Sequence, residues 1–220
     1  MTVVTRLAGS VDAALALGVD REQGRAGFGA LVSRADLPAA ASTELHRRHA
    51  EPHRFYHDAA HVGLLWLRHL MHGGDPADRD MALAILFHDA VYEPMARDNE
   101  ARSAYLFGTL VPGGSDWVRA AIRATADHVT HAGGDCRIRW LLDLDLTPLA
   151  ELPEVFARNT ALLRREYAAV QEADWRVGRR RLLEGFAATD RLFSTRLGTI
   201  YEAPARTNLA AEITALAAAA

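Results

Sequence analysis

Eight of the ten histidines fall between His46 and His88. Histidine is the commonest metal-ligating side chain and titrates near neutral pH. His57 and His61 stand four residues apart, so on a helix they project from one face, about a turn from each other. Leu64 and Leu65 continue that face toward a core. His61 is therefore expected to point inward, and His57, nearer the helix start, to lie closer to solvent. His88-Asp89 follows directly on Met81–Phe87 (MALAILF), which is apolar on every face and reads as a central, buried helix. Burying an imidazole and a carboxylate at the end of such a helix is costly unless they gain partners. A metal ion offsets that cost by turning both into ligands. The alternative is a plain helix C-terminus at which Asp89 faces water.

A later carboxylate comes from WLLDLDLTPL, residues 140–149. On a helix, Asp145 has Leu141, Leu142, Pro148 and Leu149 as its neighbours three and four residues away, all apolar. Asp143 has Arg139 one turn before it, an ordinary surface pairing. Asp145 is thus the expected buried ligand and Asp143 the structural residue. If the segment is extended, both carboxylates share a face and the distinction lapses. Cys136, the only cysteine, is expected to be a packed thiol, since no activating group stands beside it.

The elements that position these residues read as helices throughout. A short amphipathic element is expected over 1–20. Helices are expected over 22–35, from Ser42 to about Ala50, and from Tyr56 to His72. Asp75-Pro76 is expected to open the helix that contains MALAILF. Further helices are expected from Asp98 to about Gly108, from Asp116 to His131 with Ser115 as cap, and over 153–171, 174–187 and 202–219. Residues 136–147 are ambiguous between helix and strand. The class is all-α, with an N-terminal helical extension over 1–40 and one domain over 41–220.

Composition narrows the chemistry. The chain has 220 residues, half of them hydrophobic, and a net charge of −3. No basic stripe stands out, so stable nucleic-acid binding is not expected. All 25 basic residues are arginine, which excludes a P-loop lysine and a Schiff-base lysine. No targeting segment and no apolar run of about 20 residues is present, so a cytoplasmic protein with no membrane partner is expected. The sequence sets no oligomeric state.

Several segments together resemble the HD superfamily of metal-dependent phosphohydrolases, in particular a bacterial subgroup. They are RFYHDAAHV, LFHDAVYEP, DNEARSA, IRATADHVTH, LLDLDL, LRREY and ARTNLAAEI, and they cover roughly residues 45–215. The resemblance implies an HD-domain-like helical bundle with one divalent ion held by His61, His88, Asp89 and Asp145. The implied reaction is hydrolysis of a phosphomonoester or phosphodiester on a small phosphorylated molecule, often a nucleotide. Mixed nitrogen and oxygen ligands suit manganese, iron, cobalt, nickel or zinc, with magnesium also possible, better than calcium. Many superfamily members hold a second ion; His57 and His128 are the candidates for it, and one ion is expected. Asp89, Glu93 and His128 are the candidate catalytic groups, Glu93 as the residue that orients water. Arg54, His57, Asp98, Glu100, Arg164 and Tyr167 are the candidate substrate-binding residues, with the arginines as phosphate forks. Arg179-Arg180-Arg181 reads as a solvated helix face. Two other readings stand beside the hydrolase: a di-iron oxygenase on the same fold, and a non-catalytic nucleotide-binding domain.

Overall fold

A computed structural model describes residues 20–128 and 134–218, and among these the chain is helical with no strand. The helices are α1 (Arg21–Arg34), α2 (Ala39–Arg48), α3 (Ala59–Met71), α4 (Arg79–Phe87), α5 (Asn99–Leu110), α6 (Asp116–Ala124) and α7 (Cys136–Leu146). A 3-10 turn over Thr147–Ala150 follows, and then α8 (Pro153–Glu166), α9 (Glu172–Ala187) and α10 (Gly198–Ala218). The element expected over 1–20 lies outside the described residues except for Asp20. No helix among the described residues is long and apolar enough to cross a membrane.

Capping chemistry sets the boundaries that matter for the site. Asp20 and Gln23 form a reciprocal capping box at the start of α1. Asp58 accepts the N–H groups of Ala60 and His61 and so starts α3 there, not at Tyr56. His57 therefore stands before the helix, not on it. Asp78 caps α4 by accepting from Met81, while Asp75 closes a preceding turn on Ala77. The expected Asp75-Pro76 start is thus displaced by three residues. Residues 136–147, ambiguous in sequence, are helical to Leu146, and Asp135 caps them through the N–H of Arg137. Cys136 opens that helix and is exposed, so the expectation of a packed thiol is corrected.

Every residue from Met81 to Phe87 is buried, which makes α4 the central element of the core. Helix α1 lies against α3 so closely that glycine is required at the crossing. A Cβ on Gly63 would stand 1.8 Å from the carbonyl oxygen of Gly24 and 2.5 Å from the N–H nitrogen of Phe28. Any side chain there would push the two backbones apart. The close crossing fixes α3 against the core two residues beyond His61. On the far side, α3 is tied to the segment after α7. The buried Arg68 donates to Thr147 Oγ1 at 2.9 Å and pairs with Glu151. Asn208 of α10 donates to the carbonyls of Leu149 and Glu151 at 2.9 and 2.7 Å. Helices α3, α4 and α7 are thereby held in a fixed relation, and each contributes a residue to the site.

Candidate metal centre

His61 lies in the first turn of α3 and is 3% exposed. His88 is the C-cap residue of α4 and is 1% exposed. Its Nδ1 bonds the carbonyl oxygen of Ile85 at 2.9 Å, so Nδ1 carries the proton and the Nε2 lone pair faces away from the helix. Asp89 follows it into the turn, and Asp145 projects from the last turn of α7. The two Nε2 atoms are 3.4 Å apart. Asp145 Oδ1 lies 3.1 Å from His61 Nε2 and 3.7 Å from His88 Nε2. Asp89 Oδ2 lies 3.1 Å from His88 Nε2 and 3.7 Å from His61 Nε2.

One ligand atom each from His61, His88 and Asp145 falls within 4.8 Å of the others, so this group could hold a metal ion. The donor chemistry fits. Two nitrogens each about 2.1 Å from a shared tetrahedral ion stand roughly 3.4 Å apart, which matches the imidazole pair. The reading in which Asp89 merely faces water does not hold, because its carboxylate turns onto both rings.

The charges in this group are strongly coupled. Burial opposes a charge on His88, but the Asp89 and Asp145 carboxylates outweigh it and push the imidazole up to about 9. Burial dominates at His61 and lowers it. Both carboxyls are held well below the usual range in spite of burial, Asp89 by His88 and Asp145 by hydrogen bonds to His128 and His61.

His128 Nε2 bonds Asp145 Oδ2 at 2.9 Å and fixes that carboxylate from its far side. His128 was expected late in a helix running to His131. Helix α6 instead ends at Ala124, and His128 lies beyond it, after the turn that follows the helix. Residues 129–133 lie outside the described residues.

A second pair borders the group. Glu166 is the last residue of α8, and its side chain is fully buried. Its Oε1 accepts the consecutive N–H groups of Phe55, Tyr56 and His57 at 2.8, 2.7 and 2.9 Å. Its Oε2 accepts from His57 Nδ1 at 2.7 Å and from the Tyr92 hydroxyl at 2.8 Å. Burial would raise this carboxyl, but the bonds from His57 and the backbone bring it down to about 2. His57 loses stability as a cation by burial and regains more from Glu166, so it is raised. From LRREY only Arg164 and Tyr167 are expected at the site; Glu166 between them is not. A usable signal was present: Phe156, Asn159 and Glu166 are three, then seven residues apart, one inward helical face.

These groups meet at a cavity of about 650 Å³. His57, His61, Asp89, His128 and Asp145 line one end, with Tyr92, Asn99, Glu100 and Tyr167 beside them. Other expected residues do not line it. Arg54 has a fully buried side chain and is consumed as a clasp, donating to the carbonyls of His57, Asp89 and Ala90 and to Glu51. It holds the backbone of two site segments and has no fork to offer a phosphate. Arg164 likewise closes the end of α8 on the carbonyls of Tyr167 and Val170 and pairs with Glu172. Glu93 is exposed, with only its backbone held, by Asn99. Asp98 is exposed and faces Arg102 at 3.8 Å. Arg179, expected on a solvated face, is buried, lines the cavity and pairs with Glu212 at 3.0 Å. Asp143 is not a surface residue. It is buried and accepts from the N–H and hydroxyl groups of both Ser194 and Thr195.

No family model, curated protein or solved structure matches the chain.

Proposed function

We propose that this protein is a metal-dependent phosphohydrolase of the HD-superfamily kind, acting on a phosphomonoester or phosphodiester of a small molecule. The observation that carries the reading is the convergence of His61, His88 and Asp145 at the end of one cavity, with Asp89 turned onto both rings. Asp89 completes the set as fourth ligand. With neutral imidazoles these four residues sum to a charge of −2, which a single divalent ion balances. Manganese, iron, cobalt, nickel and zinc suit the donors best. Such an ion supplies Lewis acidity toward a phosphoryl oxygen and acidifies water.

The chain's own residues do the remaining work. Glu166 engages Nδ1 of His57, which leaves Nε2 as the ring atom available to the cavity. The pair holds a proton beside the ligand group, where a departing ester oxygen needs one. Tyr92 packs on the His57 ring with centroids 4.3 Å apart and keeps it in that orientation. His128 fixes Asp145 through its second oxygen, the supporting bond that ligating carboxylates require. Arg179 is neutralised by Glu212, so anion attraction falls to the bound ion and to protonated His57.

The test combines elemental analysis of the purified protein with phosphate release from nucleotides and aryl phosphates under each metal. One ion per chain is expected, with turnover that chelation abolishes. Wild-type turnover in a variant with both His88 and Asp89 replaced by alanine would overturn the proposal.

A further inference from the structure

Helix α9 contributes one wall of the cavity. Trp175, Gly178, Arg179, Leu182 and Phe186 recur at helical spacing and all line it. The Trp175 ring is held by its neighbours, 5.3 Å from the Tyr167 ring and under the guanidinium of Arg164. At the mouth stand Met95 and Leu182, which are 69% and 52% exposed. Large apolar side chains left in water around a concave site mark a surface kept for a ligand.

Gly178 lies in the middle of that stripe. Glycine in a helix interior is unfavourable relative to alanine, and no backbone strain calls for it here. A Cβ built on Gly178 meets nothing within 4 Å. The fold would accept a side chain: Gly178 is exposed and borders the cavity, so a bulky residue there would stand in open space at the cavity's edge.

From the aromatic wall, the apolar rim and the vacant space over this glycine, we propose that the cavity takes a phosphoryl compound with a bulky, apolar-faced organic group, and that Gly178 is the residue that makes room for it. The organic group lies along α9 against Trp175, with its phosphoryl end toward His61, His88 and Asp145. The orientation of the phosphoryl end rests on the phosphohydrolase reading; the apolar wall does not.

The test uses the manganese-loaded full chain and two non-hydrolysable probes, 1-naphthylmethylphosphonate and methylphosphonate, with dissociation constants from calorimetry. The wild type is expected to bind the naphthyl probe at least about 10-fold more tightly. Gly178→Leu is expected to remove that preference, weakening the naphthyl probe by about 10-fold or more and methylphosphonate by less than about 2-fold. Its thermal midpoint should hold or rise, since leucine is the better helix former. Equal affinity for the two probes in the wild type, no binding of either, or a preference that survives in Gly178→Leu overturns the assignment. Phosphate release from 1-naphthyl phosphate and methyl phosphate separates the two proposals. No turnover of either ester, with the binding preference intact, sinks the hydrolase and keeps the ligand class. Equal turnover of both, untouched by Gly178→Leu, does the reverse.

Discussion

His61 and Arg68 stand on one face of α3, seven residues or about 10 Å apart. Each is buried, and each reaches a partner in residues 145–151. Arg68 meets Glu151 and Thr147, so a cation and a carboxylate cancel inside the chain. His61 meets Asp145, with His88 and Asp89 alongside, and there two carboxylates face two imidazoles that have no permanent charge. The same burial is thus balanced by a side chain at one level of the helix, while the group two turns away could hold a metal ion.

The contrast is broken most sharply by removing ligands. His88→Ala with Asp89→Ala should take bound metal from one ion per chain to none and lower phosphate release by about 10³-fold or more. The unfolding transition should remain cooperative, because the apolar core of α4, Met81–Phe87, ends before the deleted groups. Inductively coupled plasma analysis and thermal melts on one preparation check both halves.

Arg68→Met is the mirror experiment. It strands the Glu151 carboxylate in the core, which costs about 3–5 kcal/mol, or a fall in thermal midpoint of about 10 °C. Metal content of the protein that remains folded should be unchanged. Pairing the change with Glu151→Leu should recover most of the loss, since a buried ion pair is often no better than apolar packing of the same shape. A single variant that loses its metal before its fold would show that the two levels of α3 are coupled.

Glu166 tests whether the pair beside the site behaves as a charged unit. Its carboxyl is brought down from 4.5 to about 2, so the stability it contributes is present above pH 4.5 and lost as pH falls toward 2. His57 is raised, so the same ion pair weakens as pH rises past the usual histidine value of 6.5. Glu166→Gln should therefore cost about 2–3 kcal/mol between pH 4.5 and 6.5, with the deficit shrinking on either side. Melts of both proteins from pH 3 to 9 measure it; a deficit independent of pH would mean a purely packing role.

The all-α class, the buried MALAILF helix and the inward His61 were legible because apolar periodicity states burial directly. The boundary at Asp58 was not. His57 and His61 fit one helical face, and only the dihedral angles of Asp58 and its two capping bonds place His57 before the helix, where its N–H can reach Glu166. The phosphate roles expected of Arg54 and Arg164 failed for a related reason. Arginine is equally good at binding anions and at gathering backbone carbonyls, and nothing in the sequence states which carbonyls lie nearby. Arg179 shows the converse, since a run of three arginines looks solvated until Glu212, 33 residues away, turns the first of them inward.

The choice between Asp143 and Asp145 is the finest of these distinctions, because both lie on α7 within one turn. Apolar neighbours pointed to Asp145 as the ligand, and its carboxylate does reach His61 and His88. Asp143 is buried too, but its oxygens are saturated by four donors from Ser194 and Thr195. Asp143→Asn keeps one acceptor oxygen and turns the other into a donor against the groups of Thr195. It should cost about 1–2 kcal/mol with metal content intact. Asp145→Asn should strip the metal and also cost the metal-free protein about 1–2 kcal/mol, since His61 and His128 lose a carboxylate partner. Calorimetric metal titrations beside metal-free melts read the pair, and metal loss in the Asp143 variant would reverse the assignment. Burial alone does not separate the two carboxylates; what separates them is whether the protein itself supplies every hydrogen bond each one can accept.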